Sequence, residues 1–214
     1  MKRKAPRQVA LEVLAARRTG SLHAASLDIS NCYEAIPHRH CLHAVEELGG
    51  RTGLIRNVAS FLSTPHIAMN GDLLSATVKG LHPGTSPSNI LAEMVLAPVD
   101  RAFLGEPVQY FRYVDDILLL GRTEAATKDG QALLLRLLGE FELEARTKHA
   151  CPPMLFEHLG FRHYRRHGRP EMKVSASRVK KFQGNMRSLF PDRETADRRA
   201  ARFAAIACGA SSWS

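Results

Sequence analysis

The sequence predicts an α+β fold in which an antiparallel sheet packs on helices. Three observations carry this. Short strand-like runs with period-two alternation are interspersed along the chain with apolar positions at helical spacing. Two tight-turn signals, Asn70-Gly71 and the aspartate pair within Phe111–Leu120 (FRYVDDILLL), fold strands back on their neighbours. The 214 residues are 44% hydrophobic, enough to bury the core of one large domain or of a domain with an appendage.

The elements follow in order. Val9, Leu11, Val13 and Leu14 predict a short helix after Pro6, in a basic segment (residues 1–20) that Gly20 ends. Leu22–Ser30 reads as a strand. Leu27 and Ile29 flank Asp28, so alternation buries the apolar pair and turns Asp28 to the other face. Pro37 opens a helix with an apolar seam of Leu42, Val45 and Leu48. His38, His40, Cys41 and His43 on that helix match no zinc spacing. Beyond Gly49-Gly50, Leu54, Ile55, Val58, Phe61 and Leu62 mark a second amphipathic helix.

A hairpin around Asn70-Gly71 comes next. The stretch from Gly80 to Gly105 begins as a Gly/Pro loop, then continues as a helix capped by Ser86 or Ser88 and kinked at Pro98. After the acidic hairpin, Glu124–Leu143 is helical, and Arg146 and Lys148 lie near the end of an edge strand. MLFEHLGFRHY reads as one strand, RRHGRP as its turn and EMKV as the return strand. Ser175 or Ser177 caps a helix through Val179, Phe182, Met186 and Leu189, and Pro191 separates it from a last Arg-rich helix.

Charge and composition narrow the function. A net charge of +9 and a pI of about 9.8 favour a polyanionic partner. The four cysteines (Cys32, Cys41, Cys151, Cys208) are scattered, which suits a reducing compartment and excludes a disulfide framework. No apolar run approaches membrane-spanning length, and the basic start lacks the apolar stretch of a signal peptide. The expectation is a cytoplasmic protein with no membrane contact.

The chemistry concentrates in FRYVDDILLL. In a continuous strand Asp115 and Asp116 would point to opposite faces, so they can act together only where the backbone turns. An aspartate pair also suits a plain turn, because carboxylates accept local backbone hydrogen bonds. Asp28 adds a third carboxylate if its strand neighbours the hairpin. Three carboxylates in one place repel one another, and divalent cations relieve this. Mg²⁺ prefers carboxylate oxygen and substrate phosphate. Two such ions about 3.5–4 Å apart clamp the attacking and leaving oxygens of an in-line displacement.

These segments resemble the motifs of reverse transcriptases, in the bacterial group II intron, retron and defence-associated branch. SLDISNCYEAIPH is similar to the first catalytic motif, GLHPGTSPSNILAEM to the second, YVDD to the third, ELEARTKHA to the fourth and FEHLGF to the primer grip. SASRVKKFQ resembles the start of the thumb. The resemblance spans about residues 22–190. It implies a polymerase palm over residues 21–174, a partial helical thumb over 175–214 and a fingers remnant over 1–20.

The resemblance also assigns roles. Asp28 and Asp115 are implied as the main ligands of two Mg²⁺ ions, for which Mn²⁺ can substitute. Asp116 is secondary, and the Ile29 carbonyl is an extra ligand. Tyr33 falls at the steric gate, where a ring beneath the sugar excludes a 2′-hydroxyl and selects dNTPs. Pro83 and Gly84 belong to the substrate-binding second motif. Lys148 is the candidate proton donor to pyrophosphate, with Arg146 as its rival. Phe156, Leu159, Gly160 and Phe161 would support the primer end.

The function implied is RNA-directed DNA polymerase, extending a DNA or RNA primer on an RNA template. Antiphage defence with a dedicated noncoding RNA is the role expected by family analogy. Two departures stand out. Relatives read Pro-Gln-Gly where this chain has His82-Pro83-Gly84, so the glutamine that braces nucleotide and template is absent. Only 27 residues precede Asp28, where the family has its fingers region, so either the chain is a fragment, or a second protein supplies fingers, or the polymerase is reduced. Two alternatives stay open: a non-catalytic RNA-binding subunit on a polymerase fold, and a template-independent or protein-primed DNA polymerase.

Overall fold

The computed structural model describes residues 5–20, 23–64, 66–67, 73–74, 78–82, 84–151 and 155–189. The elements begin with Pro6–Arg18 (α1), His23–Ile29 (β1), Cys32–Ala35 (α2), His38–Glu47 (α3), Thr52–Leu62 (α4), His66–Ile67 (β2) and Leu73–Leu74 (β3). Ser86–Ala102 (α5), Val108–Tyr113 (β4), Asp116–Gly121 (β5) and Glu124–Glu140 (α6) follow. Ala145–Cys151 (β6), Leu155–His158 (β7), Phe161–Arg166 (β8), Arg169–Val174 (β9) and Ala176–Leu189 (α7) complete them. The chain divides into two compact units, residues 25–150 and residues 1–24 with 151–214. The architecture is α+β, a palm-like fold of antiparallel hairpins and helices, as the sequence predicts.

The first unit is built on a four-stranded sheet in the order β4-β5-β1-β6. β4 and β5 pair antiparallel from Val108↔Gly121 to Tyr113↔Asp116. Ile117–Leu120 are each at most 1% exposed, so this run is buried on both faces. Ile117 and Leu119 share a core with Leu27 and Ile29 of β1, with Leu91, Val95 and Val99 of α5 and with Leu134 and Leu138 of α6. The central strand pair is therefore the most constrained part of the unit. β2 and β3 pair as a hairpin, His66↔Leu74 and Ile67↔Leu73, while its Asn70-Gly71 tip lies outside the described residues.

Several local expectations need correction. α3 starts at His38, which makes Pro37 its N-cap. α2, a single turn after Asn31, has no apolar periodicity to announce it. Thr85, not Ser86 or Ser88, caps α5, its hydroxyl oxygen accepting from the Ser88 N–H. Pro98 lies inside the single span of α5, which is compatible with the expected kink.

The second unit holds α1, the sheet β7-β8-β9 and α7. MLFEHLGFRHY is not one strand. Leu159 (φ 50) and Gly160 (φ 77) both enter the left-handed region and turn β7 back on β8. His167 (φ 47) and Gly168 (φ 76) do the same between β8 and β9. Of the two serines, Ser175 caps α7, its Oγ accepting from the Arg178 N–H at 3.3 Å. Buried His163 stacks on Phe156 at 4.9 Å, with the Arg17 guanidinium 5.2 Å from the Phe156 ring centre. Burial, then Arg17 and His158, push the His163 imidazole down to about 3, so it stays neutral. The last Arg-rich segment lies outside the described residues. Among the described residues, no helix is long and apolar enough to cross a membrane.

Gly121 closes β5 where the chain turns into α6. A Cβ there would sit 2.9 Å from the Thr123 carbonyl oxygen and 3.1 Å from the Thr127 nitrogen. Gly121→Ala should destabilise the protein by about 1–3 kcal/mol, the usual cost of forcing atoms into packed structure. Urea unfolding with an unchanged slope would show this, and a wild-type midpoint would refute it.

Candidate active site

Tyr113↔Asp116 is the last pair of the β4–β5 ladder, which leaves Val114 and Asp115 as a two-residue turn. Val114 has a φ of 61, while Asp115 stays out of the left-handed region. Positive φ at the first position alone is the mark of a type II′ turn, a place usually filled by glycine. A β-branched residue there is strained. The turn puts Asp115 at the tip and Asp116 at the head of β5.

The tip is tied to β1. The Ile29 N–H donates to the Asp115 carbonyl at 3.0 Å, and Ser30 N–H donates to the Glu144 carbonyl at 2.8 Å on the other side. Asp28, next to Ile29, is thereby fixed beside the turn. One carboxylate oxygen from each of Asp28, Asp115 and Asp116 lies within 4.8 Å of the other two. The strand adjacency that the three-carboxylate reading needs is present: β1 and β5 are neighbours.

Lys148 on β6 reaches the same place. Its Nζ lies 2.7 Å from Asp28 Oδ1 and 2.5 Å from Asp116 Oδ1. Burial opposes the charge on Lys148, but hydrogen bonds to Asp116 and Asp28 outweigh it and raise its pKa. For Asp115, burial raises the pKa; its own backbone hydrogen bond opposes this, and repulsion from Asp28 and Asp116 adds to it. Behind the carboxylates the buried Cys32 thiol is pushed up to about 12, first by burial and then by Asp115. An ammonium already bridges two of the three aspartates, and the donor atoms are all hard oxygens. That set fits a divalent cation of the Mg²⁺ or Mn²⁺ type.

The other candidates fall in distinct places. Tyr33 lies on α2, and its hydroxyl donates to Asn89 Oδ1 of α5 at 2.6 Å. Ile29 is buried, and its side chain joins the core. Arg146 is exposed two residues before Lys148 on β6, hence on the same face. Gly84 is exposed with a φ of 83 just ahead of the Thr85 cap, and Pro83 lies outside the described residues. Phe156, Leu159, Gly160 and Phe161 belong to the second unit. Phe156 is 3% exposed there, so its ring packs inward, and Phe161 lies under the Arg178 guanidinium.

The histidine-rich helix forms no ligand set. His38 Nε2 is 2.8 Å from the Gly80 carbonyl, and Cys41 is buried. Among the described residues, the three aspartates are the sole group of His, Cys, Asp and Glu side chains close enough to share an ion.

Sequence reasoning missed Arg112 and its partners Glu93 and Asp100. The signal was present. Arg112 is a charge inside a strand that leads directly into the turn, and Glu93 and Asp100 lie seven residues apart on one face of α5.

With the fold and site in hand, the class is defined. The family model "Reverse transcriptase (RNA-dependent DNA polymerase)" matches residues 2–160, and the chain belongs to that family. Solved structures of yeast telomerases share the fold. Apo telomerase of Candida tropicalis matches with a TM-score of 0.60 at 11% identity, over 85% of this chain and 39% of that one. The same enzyme truncated from its C-terminal domain gives 0.55 at 12%, over 79% and 39%. Telomerase of Candida albicans with a fragment of telomeric RNA gives 0.56 at 12%, over 86% and 39%. The chain thus spans well under half the length of these telomerases. No curated protein matches it.

The raised pKa of Asp115 has a sign that can be checked. A carboxyl whose folded pKa exceeds its unfolded value stabilises the fold below the unfolded value and loses that contribution as pH rises through the folded one. Metal-free wild type should therefore lose stability relative to Asp115→Asn as pH climbs from the ordinary aspartate range. The variant should melt higher at pH 7, and the gap should close in acid. Thermal melts in EDTA from pH 4 to 7 test this; a gap independent of pH would refute it.

Proposed function

We propose that the chain is an RNA-directed DNA polymerase that adds dNTPs to a primer 3′ end on an RNA template. The observation that carries this is the convergence of Asp28, Asp115 and Asp116 at the sheet centre of a reverse transcriptase family chain. Two Mg²⁺ ions held there would neutralise the attacking 3′-oxygen and the oxygen leaving with pyrophosphate. Asp28 and Asp115 are the principal ligands, with Asp116 and the Ile29 carbonyl in support.

Lys148 keeps Asp28 and Asp116 together before the cations arrive. Once their charge is taken up, its ammonium is free to give a proton toward pyrophosphate; Arg146, on the same face, is the alternative donor. Tyr33 acts as the steric gate, its ring fixed by Asn89. Gly84 and Pro83 line the second motif. In the other unit, Phe156, the Leu159-Gly160 turn and Phe161 would bear on the primer. The segment from 1 to 20 serves as a fingers remnant, 21–174 as palm and 175–214 as a partial thumb.

The motif set favours the bacterial group II intron, retron and defence-associated branch. On that reading the chain works in the cytoplasm with a dedicated noncoding RNA in antiphage defence. The buried free thiols of Cys32 and Cys41 suit that compartment.

Primer extension by the full chain on an RNA template with dNTPs and Mg²⁺ tests the activity. Asp115→Ala should lower extension by ~10³-fold or more, since a metal's charge stabilisation is worth several kcal/mol. A folded chain that binds RNA but extends nothing, alone or with its genomic neighbours, would instead support the RNA-binding subunit. Extension without any template would support the template-independent polymerase.

Tyr33→Val gives a separate check. Opening the gate should cut the preference for dNTPs over NTPs by roughly 10–200-fold, the discrimination that small steric differences in a pocket provide. Single-nucleotide incorporation measures it. An unchanged ratio would return Tyr33 to a packing role.

A further inference from the structure

Arg112 is buried, with its side chain 6% exposed, two residues before the turn. Its Nε donates to Asp100 Oδ1 at 2.7 Å and its Nη2 to Asp100 Oδ2 at 2.6 Å, a two-pronged fork on one carboxylate. Nη2 also donates to Glu93 Oε2 at 2.8 Å. Both acids stand on α5. Tyr110, stacked on Phe103, donates its hydroxyl to the same Asp100 oxygen at 2.9 Å. A planar guanidinium pinned this way has one direction left for Nη1. It donates to the Val114 carbonyl at 3.1 Å.

Val114 is the residue whose backbone is strained. The two carbonyls of the turn are thus both held, Val114 by Arg112 and Asp115 by the Ile29 N–H. An ion pair that served only the core could be replaced by apolar packing. The Nη1 contact would then be idle, yet it is the one that reaches the turn. Lysine cannot substitute fully, because an ammonium lacks the fork that grips a carboxylate and a carbonyl in one plane.

We propose that Arg112 is a positioning residue: anchored on Asp100 and Glu93, it holds the strained Val114-Asp115 turn so that Asp115 and Asp116 stay beside Asp28. The proposal rests on the reading of these aspartates as the cation site. It adds a helix-borne support that no ligand assignment includes.

The test uses Arg112→Lys, Val114→Gly and the double variant, each checked for folding by circular dichroism. Two readouts are taken: Mn²⁺ binding followed by electron paramagnetic resonance, and amide exchange of a peptide covering residues 113–118. Arg112→Lys should weaken Mn²⁺ binding about tenfold and speed turn exchange by a similar factor, the loss expected for a charge-assisted hydrogen bond. Exchange over Val108–Phe111 should not change.

Glycine adopts positive φ without strain, so the double variant should recover to within about threefold of Val114→Gly alone. Wild-type exchange at the turn in Arg112→Lys, or no rescue by glycine, would overturn the proposal. If Arg112→Lys does not fold, Asp100→Asn loosens the guanidinium without touching the turn and should produce the same changes. If wild type binds no Mn²⁺, the cation-site reading fails while the exchange comparison still decides the role of Arg112.

Discussion

Like charges must be held together for this site to exist, and most of the local structure answers to that constraint. Two carboxylates 4 Å apart repel by roughly 4 kcal/mol at the effective dielectric typical of a protein surface. That is a large share of the ~5–15 kcal/mol that a whole domain has to spare. A flexible loop would splay its aspartates apart. Here Asp28 and Asp116 sit on adjacent strands, and the strand carrying Asp116 continues into four fully buried residues, Ile117–Leu120. Burying each large apolar side chain yields about 1.5–3 kcal/mol. The apolar run directly behind the acidic tip is what lets the tip stay crowded. Lys148 relieves part of the repulsion, but at 42% exposure its ion pairs contribute far less than buried ones would.

The strain of the turn is met from one helix. α5 is largely apolar, yet Asn89, Glu93 and Asp100 make a polar stripe at spacings of four and seven, so all three share a face. Asn89 holds the Tyr33 hydroxyl, while Glu93 and Asp100 hold Arg112. The candidate nucleotide gate and the candidate metal turn therefore take their positions from the same rigid rod. The rod itself is fixed at its start by the Thr85 cap and along its other faces by Leu91, Val95 and Val99 in the core. Gate and turn would shift together if α5 shifted.

How much of this was legible in the sequence depends on the range of the interaction. Alternation around Leu27-Asp28-Ile29 and the apolar run after Asp116 placed the carboxylates on their strands, because a side chain's face follows from the local period. Their convergence needed only that two strands be neighbours. The turn at Leu159-Gly160 was hidden because a leucine rarely takes a φ of 50, and FEHLGF reads as continuous strand. The Thr85 cap was missed because three hydroxyl residues compete within four positions, and propensity cannot choose among them. Arg112 was missed for a deeper reason. Its partners lie 12 and 19 residues away on another element, and only the packed structure brings a guanidinium to both.

The second motif shows how loop placement and loop chemistry can separate. The segment from Lys79 to Leu81 is held against α2 by the backbone: Gly80 N–H donates to Ile36 O at 2.8 Å, Leu81 N–H to Tyr33 O at 2.7 Å, and Pro37 bridges Lys79. Gly80 is required at this spot. Its φ is 105, and a Cβ would approach the Glu34 carbonyl to 3.3 Å. These contacts are all made by backbone atoms, and none involves the His82 side chain. The start of this loop is therefore secured independently of the side chains that follow Leu81. A loop anchored this way stays beside Tyr33 whatever side chains follow, so a changed treatment of template or nucleotide does not require a dismantled site.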